Sequence, residues 1–103
     1  MFKITTQAAD QVRAAAAQSG TEGMPLRLAA RKKDDGSIEY IMGFDEARDE
    51  DIRIEAEGIP VVMAPEYVPL LDTAVLDFVQ LDDSEEKQFI FVNPQDANYV
   101  PAE

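Results

Sequence analysis

Carboxylates are the only abundant side chains in this sequence able to do chemistry, and they cluster. Asp45, Asp49 and Asp51 share one acidic segment, and Asp82, Asp83, Glu85 and Glu86 share another. Oxygen donors at such spacing could hold a hard divalent cation weakly. Neither run has the alternating ligands, central glycine and closing glutamate of an EF-hand loop. Both therefore read first as solvated connections that keep sheet edges soluble. Asp72 and Asp77 are flanked by apolar residues and are the best pair for general acid–base work. Their positions fit a turn or cap for Asp72 and the outward side of a strand for Asp77. Ser37 and Lys33 offer a formal Ser–Lys pairing, but both fall in one tight turn. No catalytic residue is assigned, and the reading is of a protein that is not an enzyme.

What is missing narrows the chemistry further. The chain has 103 residues with no cysteine and no histidine. Disulfides, thiolate and imidazole metal sites, cysteine nucleophiles and histidine-based triads are all excluded. An acid–base group working near neutral pH would have to be a strongly shifted carboxylate or lysine. The balance of 21 Asp+Glu against 9 Lys+Arg gives a formal net charge of −12. A field of that sign repels phosphate backbones and anionic membrane surfaces, so neither nucleic acid nor membrane is an expected partner. At 46% hydrophobic residues the composition is that of a folded domain. No apolar run approaches the ~20 residues of a membrane span. The N-terminal segment lacks a signal-peptide core, and the cytoplasm is the expected location.

The elements that must position these residues follow from periodicity. Thr6 is the expected N-cap of a helix whose stripe is Ala8, Val12, Ala15 and Ala16, closed by Gly20. The stripe is made of small residues and predicts a helix lying close against a sheet. From Met24 the period changes to two. Leu26, Leu28 and Ala30 form one strand, and Ile38, Tyr40, Met42 and Phe44 form the next. The Asp35-Gly36 tip joins them as a hairpin. Ile52–Ala56 reads as a third strand, Gly58 as its break, and Ile59–Met63 as a more buried strand. Pro65 and Pro69 bracket a helical turn. Val75–Leu81 and Phe89–Val92 complete the set, the last apolar on both faces and so expected to be covered on both. The sum is one compact α+β domain, with an N-terminal helix on a mostly antiparallel or mixed arrangement of about six short strands. Residues 1–94 make the domain. Residues 95–103 have no periodicity and are expected to be an irregular, mobile tail.

Several blocks of this sequence, in order, resemble the HesB/IscA family of A-type iron–sulfur cluster carriers. They are Leu26-Arg27-Leu28 with Arg31, Tyr40-Ile41-Met42-Gly43-Phe44, Gly58-Ile59-Pro60-Val61-Val62, Leu70 through Val79, and Phe89-Ile90-Phe91-Val92-Asn93-Pro94. Ile4-Thr5-Thr6 followed by Ala8-Ala9 also fits, so the resemblance runs from about Ile4 to Pro94. It implies a HesB-like domain, homo-oligomers (dimers above all), and a link to iron–sulfur cluster biogenesis. It also implies three ligand cysteines, one in the turn after the Arg strand and two in a C-terminal Cys-Gly-Cys. Counted along the matching blocks, those positions hold Asp35, Val100 and Ala102, with Pro101 in place of the glycine. Valine and alanine cannot bind a metal, and Asp35 is a hard oxygen donor unsuited to iron–sulfur chemistry. The expected function is thus a HesB/IscA-like interaction, accessory or regulatory module without cluster ligands or cofactor. Its expected partner is an iron–sulfur assembly component or a client protein. Asp34, Asp35, Tyr99 and Val100 are the expected interaction surface, since they replace the old site. The alternative is a weak iron or divalent-metal binder using Asp and Glu oxygens.

Overall fold

Helix formation starts from a threonine, one residue earlier than the sequence suggests. In the computed structural model, which describes residues 1–80, 86–97 and 99, Thr5 is the N-cap of α1 (Thr6–Ser19). Its hydroxyl oxygen accepts the Ala8 N–H at 3.2 Å, which satisfies one of the unpaired donors of the first turn. Thr6 is inside the helix. Gly20 ends it in the left-handed region at φ 71°, its N–H bonded to the Ala16 carbonyl. The buried face is Ala8, Ala9 and Val12. Ala15 and Ala16 are only half-buried, so the apolar stripe is shorter than the spacing predicts.

Thr5 caps α1 because the chain just before it is pinned. Lys3–Ile4 forms a short strand, β1, which the sequence reading did not anticipate. It pairs in parallel with β6 (Val75–Gln80), Ile4 opposite Leu76. β6 in turn pairs antiparallel with β7 (Lys87–Val92), giving a three-stranded sheet in the order β1-β6-β7. The small side chains of α1 let it lie against β6. β7 does not have the double cover expected of it. Phe89, Ile90, Phe91 and Val92 are half-buried, because β7 is the outer strand of this sheet. Leu81 lies outside the described residues.

The second sheet has four strands in the order β3-β2-β5-β4. β2 (Leu26–Lys32) and β3 (Ile38–Phe44) form the expected hairpin, Leu26 opposite Phe44 and Lys32 opposite Ile38. β4 (Ile52–Ala56) and β5 (Ile59–Met63) form a second hairpin, and β5 runs parallel to β2. Alternation sends Leu26, Leu28, Ala30, Val61 and Met63 to the core face. Arg27, Ala29, Ile41 and Val62 go to the opposite, outer face. After β5 the chain makes a 3₁₀ turn at Pro65–Tyr67 and then α2 (Val68–Leu71), where the sequence foresees one helical turn.

The core lies between the two sheets and α1. Leu26, Leu28, Val61, Leu71 and Leu76 are its largest fully buried apolar side chains. Tyr40 of β3 stacks on Phe91 of β7, ring centres 4.4 Å apart and ring planes nearly parallel at 8°. That contact brings the tip of the β2–β3 hairpin to the end of β7, where the C-terminal segment begins. No helix among the described residues is long and apolar enough to cross a membrane.

Candidate functional site

The β2–β3 turn is built by its own carboxylate. Asp35 Oδ1 accepts the Ser37 N–H at 2.9 Å and the Ser37 hydroxyl at 2.5 Å. These bonds, the hydroxyl one foremost, hold the Asp35 carboxyl below its ordinary range. Lys33 N–H donates to the Ser37 carbonyl at 2.7 Å and Gly36 N–H to the Lys33 carbonyl at 2.9 Å. Gly36 adopts φ 87°, which a residue with a side chain enters only under strain. Asp35 and Asp34 are both exposed, whereas Ser37 is buried. The Ser37 hydroxyl is therefore committed to Asp35, and the notional Ser–Lys pairing has no support.

The start of the C-terminal segment docks on this turn. Ala97 N–H donates to the Gly36 carbonyl at 3.1 Å, and a Cβ on Gly36 would meet the Ala97 Cβ at 3.4 Å. The Tyr40 hydroxyl donates to Asp96 Oδ2 at 3.4 Å. Burial, with Asp96 nearby, raises the Tyr40 phenol. Tyr99 is half-buried and its N–H donates to the Asp96 carbonyl at 2.9 Å. Two parts of the expected surface, the Asp34-Asp35 turn and the segment leading to Tyr99, thus meet through Gly36 and Ala97. Val100 and Ala102 lie outside the described residues.

The anchor of that segment is Asn93, which directly follows β7 and enters the sequence analysis only as part of the Phe89–Pro94 block. It is 1% exposed. Its Oδ1 accepts the Thr73 hydroxyl at 2.6 Å and the Gln95 N–H at 3.1 Å. Its Nδ2 donates to the Leu70 carbonyl at 2.7 Å. Gln95 Nε2 adds bonds to the Pro69 carbonyl and the Thr73 hydroxyl. The signal available in sequence is a polar Asn-Pro directly after a strand of four apolar residues. A side chain there has to satisfy backbone groups that the strand no longer pairs.

The other carboxylates are mostly braces. Arg27, on the outer face, forms a bidentate pair with Asp51 at 2.9 and 2.6 Å and bonds Asp45 at 2.8 Å. It also donates to the Glu46 carbonyl, and Arg48 N–H donates to Asp51 at 2.7 Å. The 45–51 segment is therefore an ion-paired flap, not a freely solvated loop. The side-chain bonds from Arg27 pull the Asp51 carboxyl down to about 2. Asp77 Oδ1 accepts the Thr5 hydroxyl and the Phe78 N–H, both at 2.8 Å. Asp72 sits at the C-cap of α2, 3.4 Å from the N-terminal amine. Asp82, Asp83 and Glu85 lie outside the described residues. Among the described residues no three His, Cys, Asp or Glu side chains gather as a metal-ligand set. Asp45 and Asp51 are bound to Arg27 and Asp35 to Ser37, so each of these three carboxylates is engaged within the chain.

Two helices and two mixed sheets of short strands make a small α+β scaffold of the class seen in IscA and SufA structures. A crystal structure of IscA with a 2Fe–2S cluster superposes with TM-score 0.74 at 22% identity, covering 91% of this chain and 86% of that one. A crystal structure of Escherichia coli SufA, involved in biosynthesis of iron–sulfur clusters, gives TM-score 0.73 at 24% identity, covering 97% and 86%. No family model matches the sequence. The iron-binding protein IscA of Yersinia pestis is 33% identical over 98 residues, which are 94% of this chain and 89% of the relative. The chain belongs to the HesB/IscA-like family of iron–sulfur biogenesis proteins and lacks the ligand cysteines of the family pattern.

The donor set does not fit an iron–sulfur cluster. Clusters are held by thiolates, in some centres with imidazoles, and this chain contains neither Cys nor His. The one carboxylate at a matching position is a hard oxygen donor whose Oδ1 already accepts two bonds from Ser37.

Proposed function

We propose that this protein is a non-catalytic accessory module of iron–sulfur cluster biogenesis that works through protein contacts and holds no cluster. One observation carries the reading. The family scaffold is retained along nearly the whole chain, while the turn that would present a ligand is closed on itself by Asp35 and Ser37. A scaffold kept without its ligands keeps its surfaces, and those are what selection can still use. The contact surface is the exposed Asp34-Asp35 turn with the segment carrying Tyr99 and Val100. The domain is residues 1–94, residues 95–103 serve the contact, and the protein acts in the cytoplasm. Its partner is an assembly component or a client protein, and it self-associates.

Affinity capture of the full chain from its native cell tests this. Mass spectrometry of the captured material identifies a cluster-assembly component or a cluster-bearing client. The yield of that partner falls at least severalfold with Asp34→Lys and Asp35→Asn combined. Recovery of the protein alone, or of the same partner equally with the variant, contradicts the reading.

A further inference from the structure

β3 is an edge strand with a self-complementary sequence. It pairs only with β2 in the sheet order β3-β2-β5-β4. Two bonds outside the strands fix which of its backbone groups are spare. Lys33 N–H bonds the Ser37 carbonyl and Asp45 N–H bonds the Pro25 carbonyl, and both pairs keep the register of the hairpin. Hydrogen-bonded pairs alternate along an antiparallel ladder. Residues 39, 41 and 43 therefore face β2, and Tyr40 and Met42 turn their N–H and C=O groups outward. No backbone bond from either, apart from the β2–β3 pairing, occurs among the described residues. Edge strands are usually guarded by a lysine, a proline or a bulge. β3 has no lysine or proline, and its pairing with β2 runs unbroken over seven residues. At its centre is Ile41, 62% exposed on the outer face.

We propose that a second copy of this chain occupies that edge, the two β3 strands pairing antiparallel about a two-fold axis at Ile41. This deepens the self-association proposed above by assigning its surface. In that register Tyr40 of each copy exchanges two main-chain hydrogen bonds with Met42 of the other, using the spare groups. Ile41 meets Ile41 as a non-hydrogen-bonded pair, the closest side-chain approach in a sheet. The outer face then carries an unbroken apolar row of Ala29, Ile41, Ile41 and Ala29 across four strands. Glu39 is the only charged residue of β3, and it falls opposite Gly43 of the other copy, so no like charges meet. The contact is isologous and closed. Each copy carries −12, so long-range repulsion opposes association and salt screens it.

Sedimentation of the purified full chain tests the register without any other protein. The dimer tightens as salt rises from about 0.05 to about 0.5 M. Ile41→Lys weakens it about a hundredfold, since the apolar pair at the axis is lost and two lysines would face each other there. Ile52→Lys, at an exposed apolar site on the opposite edge strand, leaves it unchanged. Gly43→Glu adds a side chain where nothing lies within 4 Å and sets a carboxylate opposite Glu39, which disfavours the dimer. Adding Glu39→Lys turns that repulsion into attraction and restores it. Because the chain has no cysteine of its own, Ile41→Cys supplies a second readout. Its Cα atoms would sit about 4.5 Å apart across the axis, within disulfide reach, and mild oxidation links the copies faster than with Ile52→Cys. A monomer at every salt concentration, a dimer indifferent to Ile41→Lys and Gly43→Glu, or equal cross-linking at 41 and 52 overturns the proposal. Capture of an assembly partner by a monomeric protein would leave the accessory reading standing and remove only this interface.

Discussion

Asp51 shows how much one carboxylate changes once its surroundings are known. Its side chain is 4% exposed and lies in the fork of Arg27. Its pKa falls from 3.8 to about 2 on folding. As pH drops the unfolded chain therefore binds the proton first, and acid favours unfolding. The stability owed to this pair is complete above 3.8 and is lost as pH falls toward about 2. Asp51→Asn removes that contribution. From about pH 5 to about pH 2 the urea midpoint should fall more steeply for the natural protein than for Asp51→Asn. Parallel curves would mean that the Arg27 pair adds no acid sensitivity. The sequence displays the acidic run from Asp45 to Asp51 but not its anchor. Arg27 is 18 positions before Asp45, in a different strand, and only the sheet register brings them together. Asp35 has the same lesson at shorter range: its spacing to Ser37 is visible, but the bonds that Ser37 makes to its Oδ1 are not.

At the scale of elements, alternation and capping made the β2–β3 hairpin and α1 legible, because each buries one face of a regular repeat, while β4 and β5 were legible as strands but not as a hairpin. The misses have physical reasons. β1 has two residues, too few for any period. The apolar pattern of β7 predicts cover on both faces, but a sheet order in which β7 is outermost leaves it half-buried. The N-cap shifts from Thr6 to Thr5 because β1 fixes the chain up to Ile4, and Asp77 receives the Thr5 hydroxyl. Two adjacent threonines are indistinguishable by composition. Thr5→Ala should cost about 1 kcal/mol of stability through loss of the cap. Thr6→Ala, exposed inside the helix, should change it by less than about 0.5 kcal/mol. Urea unfolding of both variants separates the two positions, and an equal effect would contradict the assignment of Thr5. Asn93 belongs to this scale too. It connects β7, α2 and the C-terminal segment through bonds to Thr73, Leu70 and Gln95, so it sets where that segment crosses the hairpin turn.

For the whole molecule, family shape and family chemistry part company. The shape is carried by apolar periodicity distributed over the chain, and it persists at 33% identity to an iron-binding relative. The chemistry of a cluster carrier rests on a few thiolates, and substitution at those few positions removes it without disturbing the core. The net charge of −12 acts at this scale as well, setting long-range repulsion that any partner surface must offset. Whether the chain can hold a cluster at all therefore decides between a carrier and an accessory module. Anaerobic incubation of the purified full chain with iron and sulfide, followed by desalting, measures this directly by visible absorbance and by iron and sulfide content. A chain without thiolate ligands should show no sulfur-to-iron charge-transfer bands and retain no stoichiometric sulfide. A stable cluster with matched iron and sulfide would contradict the accessory reading.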